Sequence, residues 1–292
     1  MRCGIVILPE FPWAQARTYW QQAEHYGFDH AWTYDHLSWR TLADGPWHAT
    51  VPTLTAAALA TSTIRIGTFV ASPNYRHPVP LAKELMTLDD ISDGRLIAGL
   101  GAGGTGFDAS VLGDPALQPG SRAARFGEFV SFLDELLTNP VTNRDGDHYS
   151  ALEARMIPGC AQRPRVPFVI AANGPKGMAI AARHGAGWVT TGPPAPAEGP
   201  DLGAWWNSVA SLSRRFDDVL DTHNRDRTTV DRYLSLDSSG VSSLSSLEYF
   251  RDCVGRSQDL GFTDVIIHWP RPSEPYAADP AVLEAVADDL QR

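Results

Sequence analysis

Lysine is almost missing from this sequence: Lys83 and Lys176 are the only two, so 22 of the 24 basic residues are arginine. Against 34 acidic residues the formal charge is −10, which excludes a broad nucleic-acid-binding face. An anionic ligand must therefore be held by local donors. Cysteine is scarce as well. Cys3, Cys160 and Cys253 are odd in number and far apart, which argues against a disulfide framework or a zinc site and fits a reducing, cytoplasmic setting. No apolar run approaches the roughly 18 residues that a membrane span needs. The apolar opening, Met1 to Pro9, is too short for a secretory signal. His-x-His, His-Glu-x-x-His and Gly-x-Ser-x-Gly do not occur, so no metal is expected and a serine hydrolase is disfavoured.

What is present is ordinary globular composition: 43% hydrophobic and 20% charged over 292 residues. Short β-rich apolar runs alternate with helical patterns, the signature of βα units around a parallel sheet. The runs are 4–8, 30–34, 64–71, 96–100, 168–172, 187–191, 232–236 and 265–269. Helices are predicted near 14–26, 51–61, 79–91, 122–138, 175–184, 202–223, 245–259 and 279–290. Eight of each predicts an α/β fold, a single (β/α)8 TIM barrel, with an open doubly wound sheet as the alternative. Ser245-Ser246-Leu247-Glu248 reads as a capping box, and Gly174-Pro175 as a helix start. The segments 102–120, 139–165 and 192–200 carry no clear element and are expected as insertions at the barrel's C-terminal mouth.

A barrel of this kind places its active site at the C-terminal ends of the strands. That rule selects Pro9 and Glu10, Asp35 and His36, Phe69 to Ala71, Gly101 to Gly104, Ala172 to Pro175, Thr190 to Gly192, Asp237, and Trp269 with Arg271. The set is poor in acid–base pairs and nucleophiles, so a cofactor is expected to carry the chemistry. His36, beside Asp35, suits proton exchange near neutral pH; the structural alternative is a helix cap and a satisfied histidine. Glycines and prolines at 66–78 could simply punctuate a strand end. The run from Gly99 to Gly106 contains Gly-x-Gly-x-x-Gly, but a Pro- and Gly-containing loop follows instead of a helix, so a dinucleotide fold is rejected. Close backbone approach to a planar ligand explains those glycines. Ala172-Asn173-Gly174-Pro175-Lys176 leads into a helix whose amides could cradle phosphate, and Thr190, Thr191 and Gly192 could add donors. A plain βα turn is the alternative.

Four segments carry a family resemblance: Asp35-His36-Leu37, the Ile-Gly-Thr-x-Val-x-x-Pro run from Ile66 to Pro73, and the stretches 84–104 and 170–192. In order and position they resemble the luciferase-like monooxygenase superfamily, over roughly residues 3–270. The resemblance implies one barrel domain over 1–292, binding the deazaflavin F420 or FMN and often homodimeric. In the deazaflavin members an Asp-His pair ends the second strand, and a cis peptide in the third lies behind the ring. These features fall on Asp35-His36 and the Phe69–Val70 bond. The implied cofactor wall is Phe69, Val70, Ala71, Gly101, Ala102, Gly103, Ala172 to Lys176 and Thr190 to Gly192. The sugar-phosphate dehydrogenases of this group place a glutamate where Gly104 stands and use lysines for phosphate, so a glucose-6-phosphate substrate does not fit. The Asp-His pair favours F420 over FMN, as does the arginine bias of a GC-rich genome.

The expected function is hydride transfer between F420 and a small organic substrate, reducing an activated C=C or C=N bond. His36 is the expected proton carrier, Asp35 its orienting partner, and Trp39, Trp269 and Glu10 the substrate wall. His268 or Trp269 must face outward by strand alternation, and Trp269 is expected to face in. An FMN-dependent monooxygenase and a non-catalytic flavin-binding protein are the alternatives.

Overall fold

The computed structural model describes residues 1–196 and 198–291. Eight parallel strands close into a barrel: β1 (Arg2–Val6), β2 (His30–Thr33), β3 (Arg65–Thr68), β4 (Leu96–Gly101), β7 (Phe168–Ala171), β8 (Gly187–Thr190), β9 (Asp231–Ser235) and β10 (Asp264–His268). Their order around the barrel is β1-β10-β9-β8-β7-β4-β3-β2. Helices α1 (Trp13–His25), α2 (Thr50–Ala60), α3 (Pro78–Ile91), α4 (Pro119–Thr138), α5 (Pro175–His184), α6 (Leu202–Thr222), α7 (Leu247–Asp259) and α8 (Pro280–Leu290) lie between and after them. This is the barrel expected from the alternation, with the strand cores where the apolar runs fall.

Alternation along each strand divides the core in two. Val6, Trp32, Ile97, Val169, Val189, Tyr233 and Ile266 fill the barrel interior, while Ile5, Ile66, Ala98, Ile170, Leu234 and Ile267 meet the helices. The interior is filled by opposing large side chains to glycine. A Cβ on Gly4 would come within 1.9 Å of His30, one on Gly67 within 2.5 Å of Trp32, and one on Gly187 within 2.7 Å of Tyr233. At the closed end, buried His30 bridges Trp32 Nε1 (2.6 Å) and Asp264 (3.0 Å), and Arg2 also grips Asp264.

Two local expectations change. The 139–165 segment is not a mouth insertion. It contains an antiparallel hairpin, β5 (Val141–Asp145) with β6 (Ser150–Arg155), tied along α4 by the Glu128 carboxylate, which accepts from the His148 and Tyr149 amides. The reason is topological: chain leaving a helix re-enters the sheet at the strands' N-terminal end, away from the mouth. The capping box shifts by one residue. Ser246, not Ser245, caps α7 and accepts from the Tyr249 amide at 3.1 Å. Pro175 does open α5, after Gly174 as its cap.

Candidate active site

The C-terminal mouth encloses a cavity of about 940 Å³, at the upper end of what small-ligand sites need. Five segments supply most of its wall: those after β2 and β9, the glycine loop after β4, the Pro-rich loop after β8, and the segment after β10. The Phe69–Val70 peptide on its wall is cis, as the resemblance implies. Glycine is required here by space as well as by backbone freedom. A Cβ on Gly101 would meet Val70 at 2.5 Å, and Gly103 sits at φ +75° against Asn74.

His36 lies on the wall with its side chain partly exposed. Its partner is Asp108, not Asp35: Nδ1 donates to the Asp108 carboxylate at 2.5 Å, and the other carboxylate oxygen accepts from the Leu37 amide at 2.9 Å. Asp108 is buried in a short 3-10 turn, Phe107–Ala109, of the loop after β4. Nδ1 is thereby committed, which leaves Nε2 as the ring nitrogen free of that contact. Asp35 points the opposite way because successive side chains alternate. It is 1% exposed and takes a two-point grip from Arg76 at 2.6 and 3.1 Å, while Arg76 also reaches Glu84. The expected Asp35–His36 pair is thus two separate devices.

Other assignments divide. Phe69, Val70, Gly101, Ala102, Gly103, Ala172, Asn173, Thr191, Gly192 and Trp39 all line the cavity. Ala71 faces the outer core instead, bridged to Leu100. The Thr190 hydroxyl donates to Asn173 Oδ1 (2.6 Å) and accepts from the Gly192 amide, so it fastens two loops. Gly174, Pro175 and Lys176 are exposed at the start of α5, outside the cavity wall. Glu10 is spent on a two-point pair with Arg271, at 2.6 and 2.9 Å. Trp269 packs outward against Tyr19 and Tyr26, and His268 faces inward, which reverses the expectation.

Sequence reasoning selects Asp237 and Trp39 but misses Tyr34, Tyr276 and Arg122 on the wall. Tyr34 hydrogen-bonds both His268 Nε2 and the Tyr276 hydroxyl at 2.8 Å, and His268 Nδ1 donates to buried Asp237 at 2.8 Å. Burial pushes the Asp237 carboxyl up, but the His268 ring and the Ser243 amide outweigh it and hold the group below its usual range. Trp39 stacks between Trp47 and Tyr276, with Arg40 over its ring. Arg122, on the first turn of α4, also reaches the cavity, and its Nη1 is buried with no hydrogen-bond partner. Buried guanidinium nitrogens are rarely left so. An apolar cleft walled by Val70, Ala171 and Val189, bounded by glycines and carrying an unsatisfied arginine, fits a flat cofactor with an anionic tail. Asp108 and Arg122 had no separable signal, since neither loop register nor helix phase is fixed by local sequence. His268 did: alternation offered two choices.

Fold and site together define a (β/α)8 barrel with a cofactor-sized mouth cavity and a histidine–aspartate pair on its wall. The profile of the luciferase-like monooxygenase family matches residues 1–220, and the chain belongs to that family. It is 34% identical over 175 residues to the F420-dependent glucose-6-phosphate dehydrogenase of Amycolatopsis mediterranei, covering 58% of this chain and 51% of that one. To the F420-dependent hydroxymycolic acid dehydrogenase of Mycobacterium tuberculosis it is 31% identical over 173 residues, covering 58% of this chain and 46% of that one. In these matches the chain spans about half the length of its relatives. Among solved structures, an F420-dependent secondary alcohol dehydrogenase in complex with an F420-acetone adduct superposes with a TM-score of 0.82. That match has 15% identity and covers 100% of this chain and 99% of that one. Such identity speaks for the fold alone.

Proposed function

We propose that this protein is an F420-dependent oxidoreductase that moves a hydride between the deazaflavin and a small organic substrate, reducing an activated C=C or C=N bond. The observation that carries the reading is His36 on the cavity wall with Nδ1 fixed by Asp108, in a chain whose relatives are named as F420-dependent enzymes. The bound deazaflavin would supply the hydride chemistry. The protein supplies the rest. Val70, Gly101 and Ala171 offer an apolar, sterically open seat, and Arg122 offers charge for an anionic tail, to which the exposed start of α5 with Lys176 would add if the tail extends beyond the wall. His36 Nε2 gives or takes the substrate proton, and Trp39 and Tyr276 exclude water beside it. By the same family likeness we propose a homodimer, which a light-scattering mass tests.

Titration of the purified chain with F420 and, separately, with FMN tests the cofactor. The reading expects F420 to bind at least about tenfold tighter, a difference of about 1.4 kcal/mol. Tighter FMN binding, with oxygen consumed by the reduced complex, would support a luciferase-like monooxygenase instead. Tight binding with no turnover of any substrate would make the chain a flavin carrier.

A further inference from the structure

We propose that Tyr276, Tyr34, His268 and Asp237 form a proton relay that gives the cavity a second proton port, the Tyr276 hydroxyl, for the carbonyl oxygen of a conjugated enone; this rests on the F420 reading above. The relay is continuous. Asp237 accepts from the amides of Ser243 (2.7 Å) and His268 (2.8 Å) and from His268 Nδ1 (2.8 Å). His268 Nε2 meets the Tyr34 hydroxyl, which meets the Tyr276 hydroxyl, each at 2.8 Å. His268 and the Asp237 side chain are buried, and Tyr34, Tyr276 and Asp237 border the cavity. Arg40 and Arg271 are the other charged groups acting on the phenols.

Its open end is held in place at a conformational cost. Tyr276 has φ +69°, a left-handed conformation that a tyrosine seldom adopts. Arg271 enforces it: its amide donates to the Tyr276 carbonyl, its Nη1 to the carbonyls of Ser273 and Pro275, and Glu10 fixes its other face. The Tyr276 ring also lies flat on His268, with centroids 3.6 Å apart. Satisfying buried polar groups alone would not require this placement, since Tyr276 is only partly buried.

One proton sets the direction of the chain. With His268 neutral, Nδ1–H serves Asp237 and Nε2 accepts from Tyr34, so Tyr34 accepts from Tyr276 and the port shows the cavity a lone pair. With His268 as imidazolium beside the Asp237 carboxylate, every hydroxyl turns round and Tyr276 shows its proton. An enone uses both states. Hydride and its electron pair form the C–H bond at the β-carbon, the C=C pair moves between the α- and carbonyl carbons, and the C=O pair goes to oxygen. That oxygen takes the Tyr276 proton; Tyr34 then reprotonates Tyr276, and His268 reprotonates Tyr34. His36 next protonates the α-carbon while the enol proton returns through Tyr276, restoring the imidazolium. The sum is one hydride and one proton added across C=C. Two proton sites in one cavity, one for carbon and one for oxygen, match that need.

Two measurements separate the relay from the cofactor reading. In the chain without cofactor, ¹⁵N NMR of labelled histidine is expected to show His268 protonated at Nδ1, with an Nε2 signal moved by Tyr34→Phe and less by Tyr276→Phe. An Nε2 signal unmoved by either substitution overturns the relay whatever cofactor binds. With reduced F420 and cyclohexenone, Tyr276→Phe is expected to lower kcat by about 10²–10³-fold, within the usual range for general acid–base catalysis. The F420 Kd should stay within about twofold, because the variant keeps the ring and loses one hydroxyl. Unchanged kcat in this variant overturns the port. Failure of the unsubstituted chain to bind F420 overturns the cofactor reading, and the NMR result then decides the relay alone.

Discussion

At the scale of single residues, the site turns on which carboxylate holds which cation. Two neighbouring residues, Asp35 and His36, look like a pair in sequence and are separated by strand alternation in space. Asp35 is a buried clamp for Arg76, and removing it leaves the guanidinium only the part-exposed Glu84, a loss bounded by the about 3–5 kcal/mol of a fully stranded charge. Asp35→Ala is therefore expected to lower the denaturation midpoint sharply, which chemical unfolding measures. Asp108→Asn is expected to behave in the opposite way. Its stability should change little more than one charge-assisted hydrogen bond allows, about 1.5–3 kcal/mol, while kcat falls because the His36 ring is no longer held in one tautomer. A kcat that falls with Asp35→Asn and not with Asp108→Asn would reverse these roles. His36 was legible from its place at a strand end. Asp108 was not, because a loop without periodicity says nothing of which side chain it folds inward.

At the scale of elements, the eight strands were legible because each is an apolar run buried on both faces, and the helices because they alternate with those runs. Trp269 shows the limit of that reading: alternation says that one of two neighbours faces in, and size does not say which. Tyr19 and Tyr26 on and just after α1 supply an aromatic bed outside the barrel for the tryptophan, while Asp237 supplies a polar partner inside for the histidine. The hairpin of β5 and β6 was missed because its strands are largely exposed and lack an apolar face. The glycine–aromatic fit in the barrel gives a direct test. A Cβ on Gly67 would lie 2.5 Å from the Trp32 ring and 2.9 Å from the Ile97 carbonyl. Gly67→Ala is expected to cost about 1–3 kcal/mol by overpacking, read by urea denaturation with near-ultraviolet circular dichroism following Trp32. A variant as stable as the parent would mean that the interior is looser than this packing.

At the scale of the whole molecule, stability should follow pH through ion pairs such as that of Asp134 with Arg165 and His184. Burial raises the Asp134 carboxyl, but hydrogen bonds from His184 and Arg165 and their charge outweigh it, lowering the group from 3.8 to about 2. A folded value below the unfolded one means that this contribution is full above about pH 4 and is lost as the pH falls toward about 2. Asp134→Asn should accordingly be less stable than the parent at pH 7 and should converge on it under acid, in parallel denaturant titrations. The thiols make a second global probe. Burial pushes Cys3 and Cys253 up to about 12, and Cys160 in the same direction, so all three should resist a thiol reagent at pH 8 and react on unfolding. Rapid labelling of the folded chain would show an opening that the closed barrel does not contain.

The proposed function stands on His36 moving the proton while the deazaflavin moves the hydride. Single-turnover oxidation of reduced F420 by an enone, followed in the parent chain and in His36→Ala, tests it most directly. The predicted result is F420 affinity changed by less than about threefold with the turnover rate lowered by about 10²–10⁴-fold. Equal rates in the two proteins, with F420 bound equally well, would contradict it.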